Sequence, residues 1–278
     1  DGDDILITSD DQTTKLSHEI ETYTPATGAL VLWVKIPSLS HTYDTTVYMY
    51  YGNASATSQQ SATAVWSNGY VGVWHLDEQN DGTASGSTIY VDDTSNTNDG
   101  QDYASDTGKT GKIYNGQKFD GTNDYIKVPD SASLDVLRTT DTFSIETWFR
   151  PSAAFSAGQA HEWGLINRTD QFGVLLNNTT GKLRFATRFE GSSWNQVYST
   201  TDSWAENTWY HAVVTYDKAN MKVYIDGSYQ DQVADTREID EGVDVAFGTE
   251  ATTNPTNKPF NGAMDETRIS STARSADW

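Results

Sequence analysis

Cysteine is absent from this 278-residue chain, so disulfide bonds, thiolate catalysis and cysteine-rich zinc sites are excluded. Basic residues are also few: 18 Lys and Arg stand against 39 Asp and Glu, a formal net charge of −21. Such a surface repels phosphate backbones and anionic lipid, so we expect no nucleic-acid partner and no docking on a charged membrane. No run approaches the roughly 18 apolar residues of a transmembrane helix, which predicts no direct membrane insertion.

Aromatic residues, in contrast, are abundant: 15 Tyr and 9 Trp lie among many Thr, Ser, Asn, Asp and Gly residues. That mixture is typical of β-strands joined by polar turns. An acidic excess keeps a protein soluble in salty surroundings and attracts divalent cations. The composition therefore indicates an extracellular or cell-surface protein.

Alternation of apolar and polar residues dominates the pattern, and helical periodicity is scarce. The clearest hairpin is predicted over residues 221–230, because Asp226-Gly227 supplies the positive φ of a tight turn. About a dozen short segments at near-even spacing predict an all-β fold, a two-sheet jelly-roll sandwich. The main predicted strands of this sandwich are 71–76, 113–120, 125–128, 142–150, 164–167, 172–176, 182–188, 196–200, 209–217, 221–225, 243–247 and 263–269.

A smaller β domain precedes the sandwich. Residues 29–37 and 45–51 are two apolar runs that predict neighbouring strands, while residues 54–67 are rich in Ser, Thr, Ala and Gln and predict a linker or a short helical turn. We therefore divide the chain into a domain at 1–69 and a second domain at 70–278.

The second domain resembles the laminin-G-like, concanavalin-A-like jelly rolls. The resemblance covers nearly all of residues 70–278, and it depends on seven weak motifs that occur in the right order. These are Val73-Trp-His-Leu-Asp77, Asp92-Asp-Thr-Ser-Asn-Thr-Asn-Asp-Gly100, Lys118-Phe-Asp-Gly121 with Asp124-Tyr-Ile126, Phe143-Ser-Ile-Glu-Thr-Trp-Phe149, Trp209-Tyr-His-Ala-Val-Val-Thr-Tyr216, Lys222-Val-Tyr-Ile-Asp-Gly227 and Gly262-Ala-Met-Asp-Glu-Thr-Arg-Ile269.

The first domain is similar to the end of a β domain of unknown function that often precedes such jelly rolls in prokaryotic surface proteins. The similar residues are Gly2-Asp-Asp-Ile5, Leu32-Trp-Val-Lys-Ile-Pro37 and Tyr48-Met-Tyr-Tyr-Gly-Asn53. That resemblance implies further strands upstream, and the jelly-roll resemblance implies one more strand after residues 276–278. Since residues 1–4 also lack the features of a signal peptide, we expect an incomplete N-terminal domain and a chain taken from a longer protein or processed.

The jelly-roll resemblance implies one structural Ca²⁺ that ties the first strand, the Asp-Gly turn and the last strand together. Carried over to this chain, the implied ligands are Asp77, the Asp120-Gly121 turn and Asp265, with Asp99 as a further candidate. Calcium requires six to eight oxygen ligands, and these residues supply carboxylates and a turn carbonyl. The alternative is that Asp77 and Asp120 cap turns and Asp265 pairs with a nearby cation such as Arg268.

Two aromatic segments predict a carbohydrate site. Sugars stack on Trp or Tyr rings while Asp, Asn, Gln and Arg fix their hydroxyl groups. The sequence His161-Glu162-Trp163 and the segment 188–196, with Trp194 in a Gly-Ser-Ser loop, have this composition. The alternative for Trp163 is a place in the core. The predicted ligand-binding residues are Trp163, Arg188, Glu190, Trp194, Asn195 and Tyr198.

No set of residues predicts catalysis. Related glucanases place three acids on one strand, and the nearest approach here is Glu238-Ile-Asp240-Glu241, where the third acid points away and the segment has the composition of a loop. No phosphate loop and no nucleophile elbow occurs. We therefore expect a protein that is not an enzyme, with a polysaccharide hydrolase or lyase as the third hypothesis.

The sequence favours a noncatalytic carbohydrate-binding or adhesion module that is stabilised by calcium. Its expected partners are a polysaccharide and neighbouring copies or further domains of the same protein. A second hypothesis is a structural subunit of a surface layer or extracellular filament that is assembled by strand addition.

Overall fold

The computed structural model describes residues 2–78, 84–105, 109–191 and 193–276. The chain forms two compact units, residues 1–69 with 93–95 and residues 70–92 with 96–278. The segment after which one more strand is predicted, residues 276–278, includes Asp277 and Trp278, which lie outside the described residues. No helix in the described ranges is both long and apolar enough to cross a membrane.

The first unit contains four short strands and one helical turn. β1 (Leu6–Thr8) pairs antiparallel with β4 (Tyr48–Tyr50), and β2 (His18–Thr24) pairs antiparallel with β3 (Ala29–Val34). The helical turn α1 (Ala62–Val65) follows within the segment that the sequence assigns to a linker or helical turn. The small core of this unit consists of the buried side chains of Ile5, Ile7 and Leu16, against which Ile20, Leu30, Leu32, Val34 and Ile36 pack.

The second unit is a sandwich of two large antiparallel sheets, which confirms the predicted fold class. The first sheet has the order β19-β18-β17-β10-β21-β5, with β8 also pairing with β21. Its strands are β5 (Tyr70–Trp74), β8 (Gln117–Asp120), β10 (Phe143–Pro151), β17 (Tyr210–Tyr216), β18 (Asn220–Ile225), β19 (Ser228–Ala234) and β21 (Asn261–Ser270).

The opposite sheet has eight strands in the order β15-β14-β13-β12-β20-β9-β7-β6. Its strands are β6 (Thr88–Tyr90), β7 (Gly100–Tyr103), β9 (Tyr125–Val128), β12 (Trp163–Arg168), β13 (Phe172–Leu176), β14 (Leu183–Phe189), β15 (Ser193–Tyr198) and β20 (Val245–Phe247). A two-stranded ribbon of β11 (Phe155–Ser156) and β16 (Ser203–Trp204) and the helix α2 (Val136–Thr140) complete the unit.

Alternation along the strands builds the core between the two sheets. In β10, Phe143, Ile145 and Phe149 are buried, whereas Glu146 and Trp148 between them are only partly buried. Aromatic contacts cross the interior: Phe143 meets Phe185 of the opposite sheet edge-on, with ring centroids 5.8 Å apart. Such a core holds the strands, and therefore the side chains on their outer faces, in fixed register.

Candidate functional site

The candidate site lies on the β14–β15 hairpin, at one edge of the eight-stranded sheet. In the antiparallel register Arg188 is opposite Trp194, Ala186 is opposite Gln196 and Arg184 is opposite Tyr198. Residues two apart on a strand share a face, so these six side chains lie on one face of the hairpin. We call this set the hairpin face: Arg184, Ala186, Arg188, Trp194, Gln196 and Tyr198.

Trp194 lies inside strand β15 and not in the Gly-Ser-Ser loop to which the sequence assigns it. Its side chain is 51 % exposed. The inward positions that flank it, Ser193 and Asn195, are polar, so β15 lacks the apolar alternation that would have predicted a strand there. A strand holds the indole in a more fixed orientation than a loop, which suits a binding platform.

Trp194 is also distinguished by an uncovered ring. In the second unit, Trp74 and Trp204 are buried in the core. Lys112 lies over Trp148, with Nζ 4.4 Å from the ring centroid, and Arg150 lies over Trp209. Among the described residues, no aromatic ring or cation packs on the indole of Trp194. Its aromatic face is therefore available to stack on a ligand.

Two carboxylates fix the arginine that faces Trp194. The Arg188 Nη1 atom is 2.7 Å from Oδ1 of Asp170, and Nε is 3.1 Å from Oδ2 of Asp240. The backbone is tied as well, because the Arg188 N–H donates to the Gln171 carbonyl and the Asp240 N–H donates to the Arg188 carbonyl. A guanidinium that is held on two sides keeps one orientation beside the indole ring.

Small residues make the middle of this face shallow. Ala186 pairs with Gly173 of the next strand, and Gly173 pairs with Asn167 beyond it. A Cβ atom at position 173 would lie 2.6 Å from Oδ1 of Asn167, so the glycine permits the close approach of that amide. The larger Arg184 and Arg188 side chains border this strip on either side.

Three of the predicted ligand-binding residues do not lie on the hairpin face: Trp163, which is in the core, and Asn195 and Glu190. Asn195 points to the other side of β15, where its Nδ2 donates to Oδ2 of Asp235 at 2.9 Å. Burial raises the pKa of Asp235, but its hydrogen bonds to Arg237 and Asn195 outweigh this effect and lower the pKa to about 2. Glu190 follows the end of β14, is exposed, and lies 3.7 Å from Arg138. Asn195 therefore supports the hairpin, and Glu190 lies at its rim.

Trp163 is in the core and cannot stack on a sugar. Its side chain is 6 % exposed and packs against the rings of Phe155 and Phe260, with centroids 4.7 Å and 5.8 Å away. Its neighbour Glu162 pairs with Arg184, at 3.5 Å, and with Lys258, at 2.9 Å. The core alternative that the sequence leaves open for Trp163 is the one that the structure shows.

The implied calcium ligands do not form one oxygen cage. Asp120 is opposite Asn261 on β21, and Asp265 is four residues farther along that strand, roughly 13 Å away. The oxygen atoms that bind one Ca²⁺ lie within about 5 Å of each other, because each is bonded at about 2.5 Å, and these two backbone positions are more than twice as far apart. No group of three or more acidic or histidine ligand atoms within 4.8 Å of one another, among the described residues, includes Asp77, Asp99, Asp120 or Asp265.

Backbone amides occupy several of these carboxylates instead. Asp265 is buried, and its Oδ2 accepts hydrogen bonds from the Lys112 and Ile113 amides at 2.6 Å and 2.8 Å. Asp120 Oδ1 caps its own turn through the Thr122 and Asn123 amides, and Gly121 supplies the positive φ of that turn. Asp99 Oδ1 accepts from the Asp92 amide. The set therefore does not fit the implied ion as a group.

The acidic segment Glu238-Ile-Asp240-Glu241 has no catalytic geometry. Ile239 is fully buried and bridges to Phe189, while Glu238 and Glu241 are exposed. Asp240 is ion-paired with Arg188. The segment instead supplies one of the two carboxylates that orient the arginine of the hairpin face, a role that the sequence analysis missed.

Comparisons with known proteins agree with this fold. The family model of the concanavalin A-like lectin/glucanases superfamily matches residues 120–278, and that of a domain of unknown function (DUF2341) matches residues 1–100. No curated protein matches the chain at a significant level.

Similar solved structures are bacterial toxin binding domains. The binding domain of Paraclostridial Mosquitocidal Protein 1 aligns with a TM-score of 0.61 and 16 % identity, covering 76 % of this chain and 50 % of that one. The botulinum neurotoxin serotype D binding domain aligns at 0.54 and 16 %, covering 78 % and 51 %. The serotype D ligand binding domain in complex with N-acetylneuraminic acid aligns at 0.53 and 16 %, covering 78 % and 51 %. This chain thus spans about half of each, and the likeness shows a shared fold. With its sandwich and the match over residues 120–278, the chain belongs to the concanavalin A-like lectin/glucanases superfamily.

Proposed function

We propose that this protein is a noncatalytic carbohydrate-binding module whose ligand stacks on Trp194. The observation that carries the proposal is the half-exposed, uncovered indole at the edge of a sheet, directly opposite an arginine that two carboxylates orient. Stacking supplies the apolar part of sugar recognition, and the polar groups beside the ring select the hydroxyl arrangement.

The remaining side chains of the hairpin face suit an oligosaccharide better than a monosaccharide. Tyr198 lies four residues from Trp194 on the same face, a separation of roughly 13 Å along the strand. Gln196 lies between them and can both donate to and accept from hydroxyl groups. A chain of several sugar units is needed to contact both aromatic residues at once.

The comparison structures support binding as the class of function. Each is a binding domain by name, and one was solved with N-acetylneuraminic acid. Because the identities are near 16 %, they support the class and do not identify the ligand. A secreted or cell-surface location is part of the proposal, and the strong acidic excess of the chain favours it.

A glycan array on the purified chain, with Trp194→Ala and Tyr229→Ala beside it, tests this function. Tyr229 is also a half-exposed aromatic residue, but it lies on β19 in the other sheet, which makes it a matched control. We expect binding to one glycan class that is lost in Trp194→Ala and kept in Tyr229→Ala. No binding to any glycan, or binding that survives Trp194→Ala, would overturn the proposal.

A further inference from the structure

Strand β4 in the first unit leaves both faces and one edge open. It pairs with β1, with Tyr48 opposite Thr8, and no other strand in the described ranges pairs with it. Successive residues of a strand point to opposite faces, yet Tyr48, Met49 and Tyr50 are all 39–47 % exposed. Since backbone groups alternate between the two edges, β4 also presents N–H and C=O groups on the side away from β1.

The apolar surface around β4 is concentrated in a short stretch of chain. Seven of the twelve exposed large hydrophobic side chains of the described residues fall within residues 39–51. We call them the β4 surface: Leu39, Tyr43, Val47, Tyr48, Met49, Tyr50 and Tyr51. Such a concentration of exposed apolar side chains in one short segment is unusual on a protein that works alone, and it marks an interaction site.

Nothing in the sequence of β4 protects its open edge. Natural edge strands commonly carry a charged residue or a proline that blocks further pairing. The edge strand β19, for example, carries Asp231. Residues 45–52 contain neither, although 21 % of the chain is charged. The segment therefore keeps the features that allow another strand to pair with it.

Carboxylates lie beyond both ends of strand β4. A cavity of 390 Å³ before the strand is lined by Asp10 and Asp44 together with apolar side chains such as Ile36. A second cavity of 250 Å³ beyond the strand is lined by Asp3 and by Asp4, whose Oδ2 accepts hydrogen bonds from the Gly52 and Asn53 amides. An extended segment that lies along β4 would thus have acidic groups near each of its ends.

The charge of the first unit is one-sided. Residues 1–69 contain eight acidic residues and two lysines. Both lysines already contact other groups of the unit, Lys15 with Gln59 at 3.1 Å and Lys35 with the Ala64 carbonyl at 3.2 Å. A second copy of this chain would bring an equally acidic surface to the same edge, so self-pairing through β4 is electrostatically unfavourable.

We propose that β4 accepts an additional strand from a partner polypeptide, an extended segment with alternating apolar side chains and a basic residue at each end. The backbone of the segment would pair with the open edge of β4, its apolar side chains would cover the exposed tyrosines, and its basic ends would meet the carboxylates of Asp10 and Asp44 on one side and of Asp3 and Asp4 on the other. This partner differs from the neighbouring copies that the sequence analysis considers.

A synthetic peptide tests the proposal on the full chain. The probe is a blocked nonapeptide of alternating Thr and Val with Lys at both ends, and the matched control carries Glu in place of both Lys. Binding is measured by isothermal titration calorimetry, and hydrogen exchange is followed in the peptides that cover residues 44–53. We expect the Lys-ended probe to bind at least roughly tenfold more tightly than the Glu-ended probe and to protect the amides of β4.

Two variants locate the contact without disturbing β4 pairing. Tyr51→Ser removes a side chain that is 74 % exposed, and Tyr229→Ser on the second unit is its control. The double variant Asp10→Asn, Asp44→Asn removes the exposed charges at one end. We expect each test variant to weaken binding of the Lys-ended probe by roughly three- to tenfold and to leave the melting temperature unchanged. The control variant should bind the probe as the parent protein does.

Three outcomes would overturn the proposal. Equal binding of the two probes would show that charge does not select the partner. No binding and no protection of residues 44–53 would show that the edge does not accept a strand. Concentration-dependent dimers in light scattering that Tyr51→Ser abolishes would make a second copy the occupant.

Discussion

Arg188 and Trp194 lie directly opposite each other in the antiparallel β14–β15 pair, and Asp170 and Asp240 hold the guanidinium from two sides. Arg188 and Trp194 belong to one hairpin, whereas Asp170 comes from the β12–β13 turn and Asp240 from the loop between β19 and β20, so the fold brings together three separate stretches of the chain. If this arrangement orients a ligand on the indole, the two acids are positioning residues, although neither needs to touch the sugar.

The double variant Asp170→Asn, Asp240→Asn is therefore expected to weaken glycan binding by roughly three- to tenfold, because an arginine that has lost both charged partners samples more rotamers. Stability should change little, since both acids are at least partly exposed and such ion pairs contribute at most about 1 kcal/mol each. Calorimetry with the bound glycan and a thermal melt measure the two effects. Asp231→Asn, an exposed acid on β19, is the control, and an equal loss of binding there would contradict the idea.

Substitution of Trp163 is expected to lower stability, whereas substitution of Trp194 is expected to lower glycan binding and leave stability nearly unchanged. Trp163 packs between Phe155 and Phe260 in the core, so Trp163→Ala should cost about 3–5 kcal/mol of unfolding free energy. Trp194→Ala removes a half-exposed ring and should change stability by less than about 0.5 kcal/mol. Urea unfolding of both variants measures the difference. Comparable destabilisation by the two substitutions would mean that Trp194 belongs to the packed structure.

The fold was predictable because its strongest signals are local. The β18–β19 hairpin has its turn at Asp226 and Gly227, both with positive φ, as the sequence predicts. The alternation in β10 likewise separates its buried positions from its outer ones. Strands with polar inward positions were harder to predict. Strand β15 begins at residue 193, three residues before the predicted start at 196, because its inward residues Ser193 and Asn195 are polar.

The site was predictable only in part, for a related reason. Exposure of Trp194 follows from its polar neighbours, whereas burial of Trp163 depends on Phe155 and Phe260, which lie far apart in the sequence. The pairing of Arg188 with Asp170 and Asp240 is likewise nonlocal and leaves no sequence spacing to detect. The calcium ligands were implied by a family resemblance and not by their spacing in this sequence. The strand register places two of them, Asp120 and Asp265, at backbone positions roughly 13 Å apart.

The charges around Trp194 predict an uncharged ligand. Of the two arginines on the hairpin face, Arg188 is paired with two carboxylates and Arg184 is paired with Glu162. An acidic sugar therefore meets a site whose arginines are already neutralised, on a chain with a net charge of −21. We expect neutral oligosaccharides to bind at least roughly tenfold more tightly than sialylated ones of the same length in low salt. The difference in affinity between neutral and sialylated oligosaccharides should narrow as salt screens the repulsion. Tighter binding of the sialylated series would contradict the expectation of an uncharged ligand.

Calcium is expected to have little effect on the stability of this protein. The carboxylates of Asp99, Asp120 and Asp265 already accept hydrogen bonds from backbone amides, and the strand register separates Asp120 from Asp265. Binding to the folded state raises the melting temperature, so melts in EDTA and in millimolar CaCl₂ compare the two states directly. We expect curves that coincide. A higher melting temperature in the presence of calcium that is lost in Asp265→Asn would instead establish Asp265 as a calcium ligand, as the family resemblance implies.

Acid is expected to loosen the first unit through His18. Its side chain is fully buried, and burial lowers the pKa of the imidazole below the ordinary value of 6.5. The unfolded chain therefore binds a proton at a higher pH than the folded unit does, so stability is complete above about pH 6.5 and falls as the pH drops below it. Hydrogen exchange of residues 15–24, corrected for intrinsic rates, should show lower protection at pH 5.5 than at pH 7.5. His18→Leu should remove this difference, whereas His41→Gln, an exposed histidine, should leave it intact. If protection is equally sensitive to acid in His18→Leu, the proton is taken up elsewhere and His18 is not the titrating group.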